Sequence, residues 1–287
     1  LSLIIDDSCP IINMAYYWIK QRHDWRMKHE PNSPPSGWEK HYDKLSLMPK
    51  TIPAAFTEQW GQWCGEQGIN VVDLKTWQPT EEWEQREWVD PPVELLTDYI
   101  ATAMQLLKNV GIACEGVTSP GAFGKSKEQA YARAVLDAAL RVNDNQRPFY
   151  FLWLKNDELP DVPTWHADKA KGIGVASIVG CAGDWFGATG YDQADADLFI
   201  TKDLQCGRLP AVLATERPCI LVGHWPCFYA NEQVGFKVLK EVKRRLDAYD
   251  PDRTKTLWMK NSEIGHYWMA RELSEQRVED DAYNQEC

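Results

Sequence analysis

The feature that most constrains this fold is a repeated alternation of short apolar runs with longer helical patterns. Apolar spacing typical of helices occurs at residues 53–67, 91–109, 127–142 and 232–249, and Ser262 is predicted to cap a last helix. Strands that alternate with helices form parallel sheets, so the sequence predicts an α/β fold. The predicted strands are residues 1–5, 69–74, 112–117, 148–154, 175–182, 218–222 and 256–259.

About seven strand–helix units predict a distorted (β/α) barrel, with a doubly wound open sheet as the alternative. The 287 residues contain no linker-like stretch, so we expect a single domain spanning residues 1–287. Residues 23–53 are polar and Pro-rich, residues 76–90 are acidic and Trp-rich, and both are predicted to be surface insertions. No Gly-rich phosphate-binding motif follows a predicted strand, which argues against a nucleotide-binding sheet.

Charge and hydropathy exclude two kinds of partner. The net charge of −11 leaves no basic patch to neutralise the phosphates of a nucleic acid. No apolar run reaches the ~18–20 residues that a membrane-spanning helix needs. The chain shows no signal peptide but opens on a predicted core strand, so we expect a trimmed terminus. This terminus does not determine the localisation, which we separately expect to be secreted or periplasmic. The oligomeric state is left open.

The aromatic and cysteine content adds two expectations. The 14 tryptophans include several among polar residues, such as Trp77, and half-exposed aromatic rings are well suited to stacking on sugars. The eight cysteines form no CxxC pair and have no zinc-finger spacing. Cys114, Cys181 and Cys219 lie in apolar runs and are expected to be small core residues, while disulfide pairing elsewhere stays open.

Polar residues that follow the predicted strands are the candidates for a functional site, because sites of α/β proteins lie at the carboxyl ends of the strands. The adjacent carboxylates Asp6 and Asp7 end the first strand. Ser119 and Glu263 are candidate substrate-binding residues. The other candidates at strand ends are Glu115, Asp184, Trp185, His224 and Trp225.

Two kinds of site could be built from these residues. Asp6, Asp7 and His224 could form a metal site with a position open for water, in which Asp7 and His224 are ligands. A metal-free hydrolase would instead place two carboxyl groups on either side of the scissile bond, and Asp7 could pair with Glu115 or with Asp184. In either case we expect Asp6, Asp7 and His224 within roughly 8 Å of one another.

The order of these short motifs resembles that of the polysaccharide deacetylase superfamily, the NodB-homology domain of carbohydrate esterase family 4. Asp6-Asp7 matches the paired Asp of the first motif, and residues 119–124 take the place of the third motif but lack its Arg. Gly183-Asp184-Trp185 matches the Asp-Trp of the fourth motif. Residues 221–224 look like a one-residue-longer version of the fifth motif, Leu-x-His.

The resemblance implies a distorted (β/α) barrel with a metal-dependent deacetylation site. It also implies a catalytic base at Asp6, a metal ligand at Asp7 and a general acid at His224. The second motif of the family, a His-x-x-x-His that supplies two metal ligands, is absent, because residues 71–77 read Val-Val-Asp-Leu-Lys-Thr-Trp. A site built mainly from carboxylates would bind metal more weakly or prefer a harder ion.

Three functional hypotheses follow. The first is a carbohydrate-active hydrolase acting on an oligo- or polysaccharide, with glycosidic cleavage slightly favoured because the His pair is missing. Its acid, base or nucleophile would come from Asp7, Glu115 and Asp184, and its sugar subsites would be lined by Trp77, Trp185 and Trp225. The second is a deacetylase that uses one divalent metal ion and a reduced ligand set. The third is a non-catalytic barrel that binds glycans.

Overall fold

The computed structural model describes residues 1–6, 19–35, 72–73, 78–79, 92–119, 124–152, 162–180, 195–279 and 282–286. The strands are β1 (Ser2–Asp6), β2 (Val72–Asp73), β3 (Gln78–Pro79), β4 (Gly116–Thr118), β5 (Phe149–Leu152), β6 (Thr164–Asp168), β7 (Ile173–Val179), β8 (Ile220–His224), β9 (Glu275–Glu279) and β10 (Ala282–Glu286). The helices are α1 (Ile19–His29), α2 (Val93–Asn109), α3 (Gly124–Asn143), α4 (Arg208–Leu213), α5 (Trp225–Tyr249) and α6 (Asn261–Leu273), with a 3₁₀ turn at Ala196–Leu198. None of these helices is both long enough and apolar enough to cross a membrane.

The strands form a mixed α/β structure, as the alternation of patterns predicts. The largest sheet has the order β4-β5-β7-β6, in which β4, β5 and β7 run parallel and β6 is antiparallel at one edge. A separate parallel pair joins β1 to β8, and two antiparallel pairs join β2 to β3 and β9 to β10. In the part of the chain that the structure describes, these sheets do not close into the predicted seven-stranded barrel.

Helices α2 and α3 pack together on the largest sheet. Leu96, Ile100 and Met104 form the buried stripe of α2 at helical spacing. They share one core cluster with Val135 of α3 and Tyr150 of β5. This cluster explains why the apolar periodicity at residues 91–109 and 127–142 predicted both helices correctly.

Two further clusters bury the parallel pair and join it to the largest sheet. Leu221 of β8 packs with Phe228 and Val242 of α5 in one cluster. In the other, Val222 packs with Ile178 of β7 and with α6. A β-carbon added at Gly180, just past β7, would lie 3.0 Å from Val222 Cγ2. The carboxyl end of β7 therefore lies directly against β8.

The segment before α6 runs beside β1. Leu1 donates its amino group to the Leu257 carbonyl at 2.8 Å, and the Met259 amide donates to the Leu1 carbonyl at 2.9 Å. The strand predicted at residues 256–259 is thus reduced to this short backbone contact, which lies on the side of β1 away from β8.

Several local predictions differ from the structure. Helix α6 begins at Asn261 after Lys260, so the predicted cap Ser262 lies inside the first turn, where it is buried. Strand β6 was not predicted. Part of the predicted insertion at residues 23–53 is helical in α1, whereas residues 36–71 and 80–91 lie outside the described ranges. Cys219 is buried in the core and Cys114 is half-buried, while Cys181 is not among the described residues.

Candidate functional site

Two predicted site residues lie opposite each other in the backbone register of β1 and β8. The register aligns Ser2 with Ile220 at the start of the pair and Asp6 with His224 at its carboxyl end. Neighbouring strands lie about 4.8 Å apart, so the backbones of Asp6 and His224 are adjacent. An aspartate and a histidine thus occupy paired positions at the edge where sites of α/β proteins are found.

The sequence of β8 explains why the buried strand ends at His224. Ile220, Leu221 and Val222 are fully buried, as expected for a parallel strand covered on both faces. Gly223 and His224 break the apolar run, and the 25-residue helix α5 begins at the next residue, Trp225. The amino end of a helix carries partial positive charge, so this edge favours an anionic group or a developing oxyanion.

Ser119 lies at the carboxyl edge of the largest sheet, just past β4. Its amide donates to the Phe151 carbonyl at 2.9 Å, and its hydroxyl oxygen is buried without a hydrogen-bond partner among the described residues. Phe151 lies in one core cluster with Val222 of β8. A continuous row of contacts therefore leads from Ser119 across the sheet to the strand that ends in His224.

The structure places Glu115 at the other end of β4. The third predicted strand was residues 112–117, but β4 starts at Gly116, so Glu115 precedes the strand. Its side chain is exposed, and its carbonyl accepts hydrogen bonds from the Phe149 amide at 3.4 Å and from Asn145 Nδ2 at 3.2 Å. Glu115 is thus separated from Ser119 by the length of β4, and the prediction that it lies at the carboxyl end is wrong.

Glu263 lies beside the first half of β1. Its Oε2 accepts a hydrogen bond from the Lys260 amide at 2.7 Å and so satisfies a free donor at the start of α6. It shares a shallow groove with Ser2 and Leu3, three residues before Asp6. This geometry gives Glu263 a capping role, and the structure does not bring it to the Asp6–His224 edge.

The remaining predicted residues are not covered by the structural description. Asp7, Trp77, Asp184 and Trp185 lie outside the described ranges, and of Trp225 only the backbone is described, as the first residue of α5. The predicted 8 Å cluster of Asp6, Asp7 and His224 is therefore seen only as the backbone pairing of Asp6 with His224.

The described residues fall short of a complete metal site. Catalytic zinc sites use three protein ligands and leave one position for water. Across the described ranges, no group of three or more His, Cys, Asp and Glu side chains is arranged to hold a metal ion. Asp6 and His224 would supply two donors, and Asp7 is the nearest further donor in the sequence.

The shifted pKa values among the described side chains belong to groups away from this edge. Burial raises the pKa of Tyr150 and that of Cys114. Hydrogen bonds from Arg244 and Arg245 hold the pKa of Glu241 at about 2. Each shift follows from a contact that holds the fold together, so none of these groups is a candidate acid or base for the site.

The sequence did not point to one half-buried polar network. Glu128 Oε1 accepts a hydrogen bond from the Tyr150 hydroxyl at 2.7 Å and from Trp165 Nε1 at 3.3 Å. The available signal was a carboxylate on the apolar stripe of a helix, because Glu128 is one turn from Tyr131 and two from Val135. Both donors bind Oε1, and a carboxylate held by two side-chain donors is typical of a structural role.

In comparisons with family models, curated proteins and solved structures, nothing matches this chain, so the likeness to polysaccharide deacetylases rests on motif order alone.

Proposed function

We propose that the chain is a carbohydrate-active hydrolase whose site lies at the carboxyl ends of β1 and β8. The observation that supports this proposal is the register of Asp6 opposite His224. A carboxylate beside an imidazole can orient the ring and stabilise its charged form, which lets the histidine give or take a proton near neutral pH. A histidine oriented by an aspartate occurs repeatedly in the active sites of hydrolases.

Glycosidic cleavage is the reaction class that we favour. It requires two carboxyl groups flanking the scissile bond, and Asp7 and Asp184 are the candidates that remain once Glu115 is placed at the opposite end of β4. Trp77, Trp185 and Trp225 would line sugar subsites. We further propose that the β1–β8 pair and the β4-β5-β7-β6 sheet are parts of one distorted barrel, which would bring these strand ends to a single mouth.

A metal-dependent deacetylase is the second candidate. It is favoured by the same register of Asp6 opposite His224, because a carboxylate and an imidazole are also donors that bind a divalent ion, and by the motif order of the sequence. Asp6 and His224 alone do not complete such a site, so a ligand from outside the described residues would be needed.

The test is a screen of plain and acetylated oligosaccharides with two readouts, new reducing ends and released acetate. We expect Asp6→Asn and His224→Gln each to lower the activity by about 10²-fold or more, as loss of a general acid or base does. Glu115→Gln is the matched control and should retain activity. Full activity in both site variants would overturn the proposal.

The two readouts separate the candidate reactions. New reducing ends, with activity that survives a chelator, support the two-carboxylate mechanism. Acetate release that is lost on chelation and restored by a divalent ion supports the deacetylase. Oligosaccharide binding without either product would instead identify a glycan-binding protein and contradict both enzyme proposals.

A further inference from the structure

A cavity of about 610 Å³ lies at the end of the β1–β8 pair away from Asp6 and His224. Leu1 and Pro218, which precede the two strands, line one side of it. At about 3.3 Å per residue, Leu1 is roughly 16 Å from Asp6 along β1. The cavity is therefore a separate site, and an inference about it does not depend on the proposed hydrolase activity.

The walls of the cavity are mainly apolar. Leu213, Leu257, Met259 and Ile264 supply aliphatic surface, and the aromatic residues are Tyr249, Tyr267 and Trp268. A cavity of this size, lined by hydrophobic and aromatic side chains with a few polar groups, has the character of a small-molecule site. Its lining favours a ligand with an apolar body.

The aromatic rings act as walls and leave little open face for a sugar. Arg271 lies over the Trp268 ring at 4.5 Å from its centroid, and Trp268 packs against the core cluster of β7 and α6. Lys255 lies over the Tyr249 ring at 5.3 Å, and that ring packs against the cluster of β8 and α5. Stacking of a saccharide needs a free ring face, so an apolar chain fits this lining better.

Two cations are among the polar groups of the cavity. Arg217 and Lys255 line it together with a single carboxylate, Glu216, and the hydroxyl of Thr256. A guanidinium and an ammonium group can each bind a carboxylate. They would favour an anionic head group on the ligand.

Asp250 fixes one side of the cavity. This buried carboxylate accepts the amides of Lys255 and Thr256 at 2.9 and 2.6 Å and the Thr256 hydroxyl at 2.9 Å. Lys255 therefore lies on an ordered loop. This order lowers the entropic cost of ligand binding by its ammonium group.

We propose that this cavity binds an amphiphilic carboxylate, with its apolar body against Leu257, Met259 and Ile264 and its head group at Arg217 and Lys255. The ligand class is thus a medium-chain fatty acid or a similar apolar molecule with one anionic end.

The experiment is a fluorescence titration of the full chain with 11-(dansylamino)undecanoate and with its methyl ester. We expect saturable binding of the acid at one site and about tenfold weaker binding of the neutral ester. Arg217→Gln combined with Lys255→Gln should weaken acid binding about tenfold and leave ester binding unchanged. Lys202→Gln, an exposed lysine elsewhere, is the matched control and should bind like the unaltered protein.

A second variant tests the proposal even if the double variant misfolds. Leu257 is 66% exposed, so Leu257→Glu places a repelling carboxylate at the cavity without disturbing the core. It should weaken acid binding at an unchanged Tm. Equal affinity for acid and ester, or unchanged affinity in the double variant and in Leu257→Glu, would overturn the proposal.

Discussion

The carboxylate of Asp250 organises the loop between α5 and α6. The side chain is only 2% exposed, and its two oxygens accept hydrogen bonds from Thr254, Lys255 and Thr256. Burial acts to raise the pKa of Asp250, but the hydrogen bonds from Thr256 and its neighbours outweigh it and hold the pKa below its usual value. The ionised form is thus the one that the fold stabilises.

This depressed pKa predicts a pH-dependent stability. A carboxyl group whose pKa is lower in the folded state contributes stability above its unfolded pKa of about 3.9, and the contribution is lost as the pH falls through the folded pKa. Asp250→Asn should therefore lower Tm at pH 7, and the difference from the unaltered protein should shrink at about pH 2.5. Asp252→Asn, on the same loop but exposed, is the control, and an equal Tm for Asp250→Asn at pH 7 would contradict the prediction.

The Glu128 network makes a second prediction at this scale. Tyr150→Phe removes the hydroxyl that donates to Glu128 and leaves the carboxylate with Trp165 as donor. The loss of a hydrogen bond to a charged group predicts a free energy of unfolding lower by about 1–2 kcal/mol, measured by urea denaturation. Tyr267→Phe is the exposed control, and a change of the same size in that variant would refute the assignment.

Single residues were predicted from the sequence only where local pattern decides their position. The prediction for Glu115 is wrong because the apolar residues at 112–117 favour a strand over that range, whereas Ile112 is 53% exposed and the strand starts later, at Gly116. The error at Ser262 arose because Ser is a preferred cap, whereas the contact between Leu1 and Met259 sets where α6 begins. In both cases, contacts distant in sequence overrode a local preference.

At the scale of elements, α6 packs unusually closely on the sheet. Gly265 is buried, and a β-carbon at this position would lie 3.2 Å from Phe149 Cβ and 3.6 Å from Ala176 Cβ. The helix backbone therefore rests against β5 and β7 without a side chain between them. This close approach explains a glycine in a helix interior, where it costs up to about 1 kcal/mol relative to alanine.

Substituting Gly265 tests this packing. Gly265→Leu should lower the free energy of unfolding by about 1–2 kcal/mol, because the cost of overpacking exceeds the gain in helix propensity. Glu272→Leu, on the exposed face of the same helix, is the control and should change stability by less than about 0.5 kcal/mol. A Gly265→Leu variant as stable as the unaltered protein would show that α6 does not rest on β5 and β7 in this way.

The elements with the strongest apolar periodicity were predicted well, and those with mixed burial were not. Helix α2 follows the predicted range closely because its apolar stripe faces one cluster. Strand β6 escaped prediction because its residues are mostly half-buried, its pairing with β7 is irregular between Trp165 and Asp168, and His166 has a φ of 51°. Such a strand forms because it pairs with a neighbouring strand, more than because of its own sequence pattern.

At the scale of the whole molecule, β1 joins the start of the sequence to the C-terminal half of the chain. It pairs with β8 on one side and contacts residues 257–259 on the other. Ile4→Pro places a ring in the middle of this strand and removes a backbone donor. We expect Tm to fall by about 10 °C or more, with circular dichroism and tryptophan fluorescence changing together.

The terminal hairpin supplies the control for this prediction. Strand β9 pairs with β10 and with no other strand of the described chain, so Val278→Pro should disturb only that hairpin and leave Tm almost unchanged. If Ile4→Pro and Val278→Pro had the same Tm, β1 would not be central to the fold.

The candidate site could be predicted only as far as strand ends could be located. Asp6 and His224 each follow an apolar run, which was enough to propose them as partners. That β1 lies next to β8 is a matter of sheet order, and no local pattern in either strand encodes it. For the same reason the number and order of strands in a closed barrel could not be predicted from counting strand–helix units.

The position of β1 also has a consequence for how the protein is made. Leu1 and its backbone partner Leu257 are 256 positions apart in the chain. At a synthesis rate of about 5–20 residues per second, an apolar strand that has left the ribosome waits at least about 13 s before that partner exists. During this interval an unpaired, aggregation-prone edge is exposed, so the nascent chain should be a client of chaperones that bind extended apolar segments.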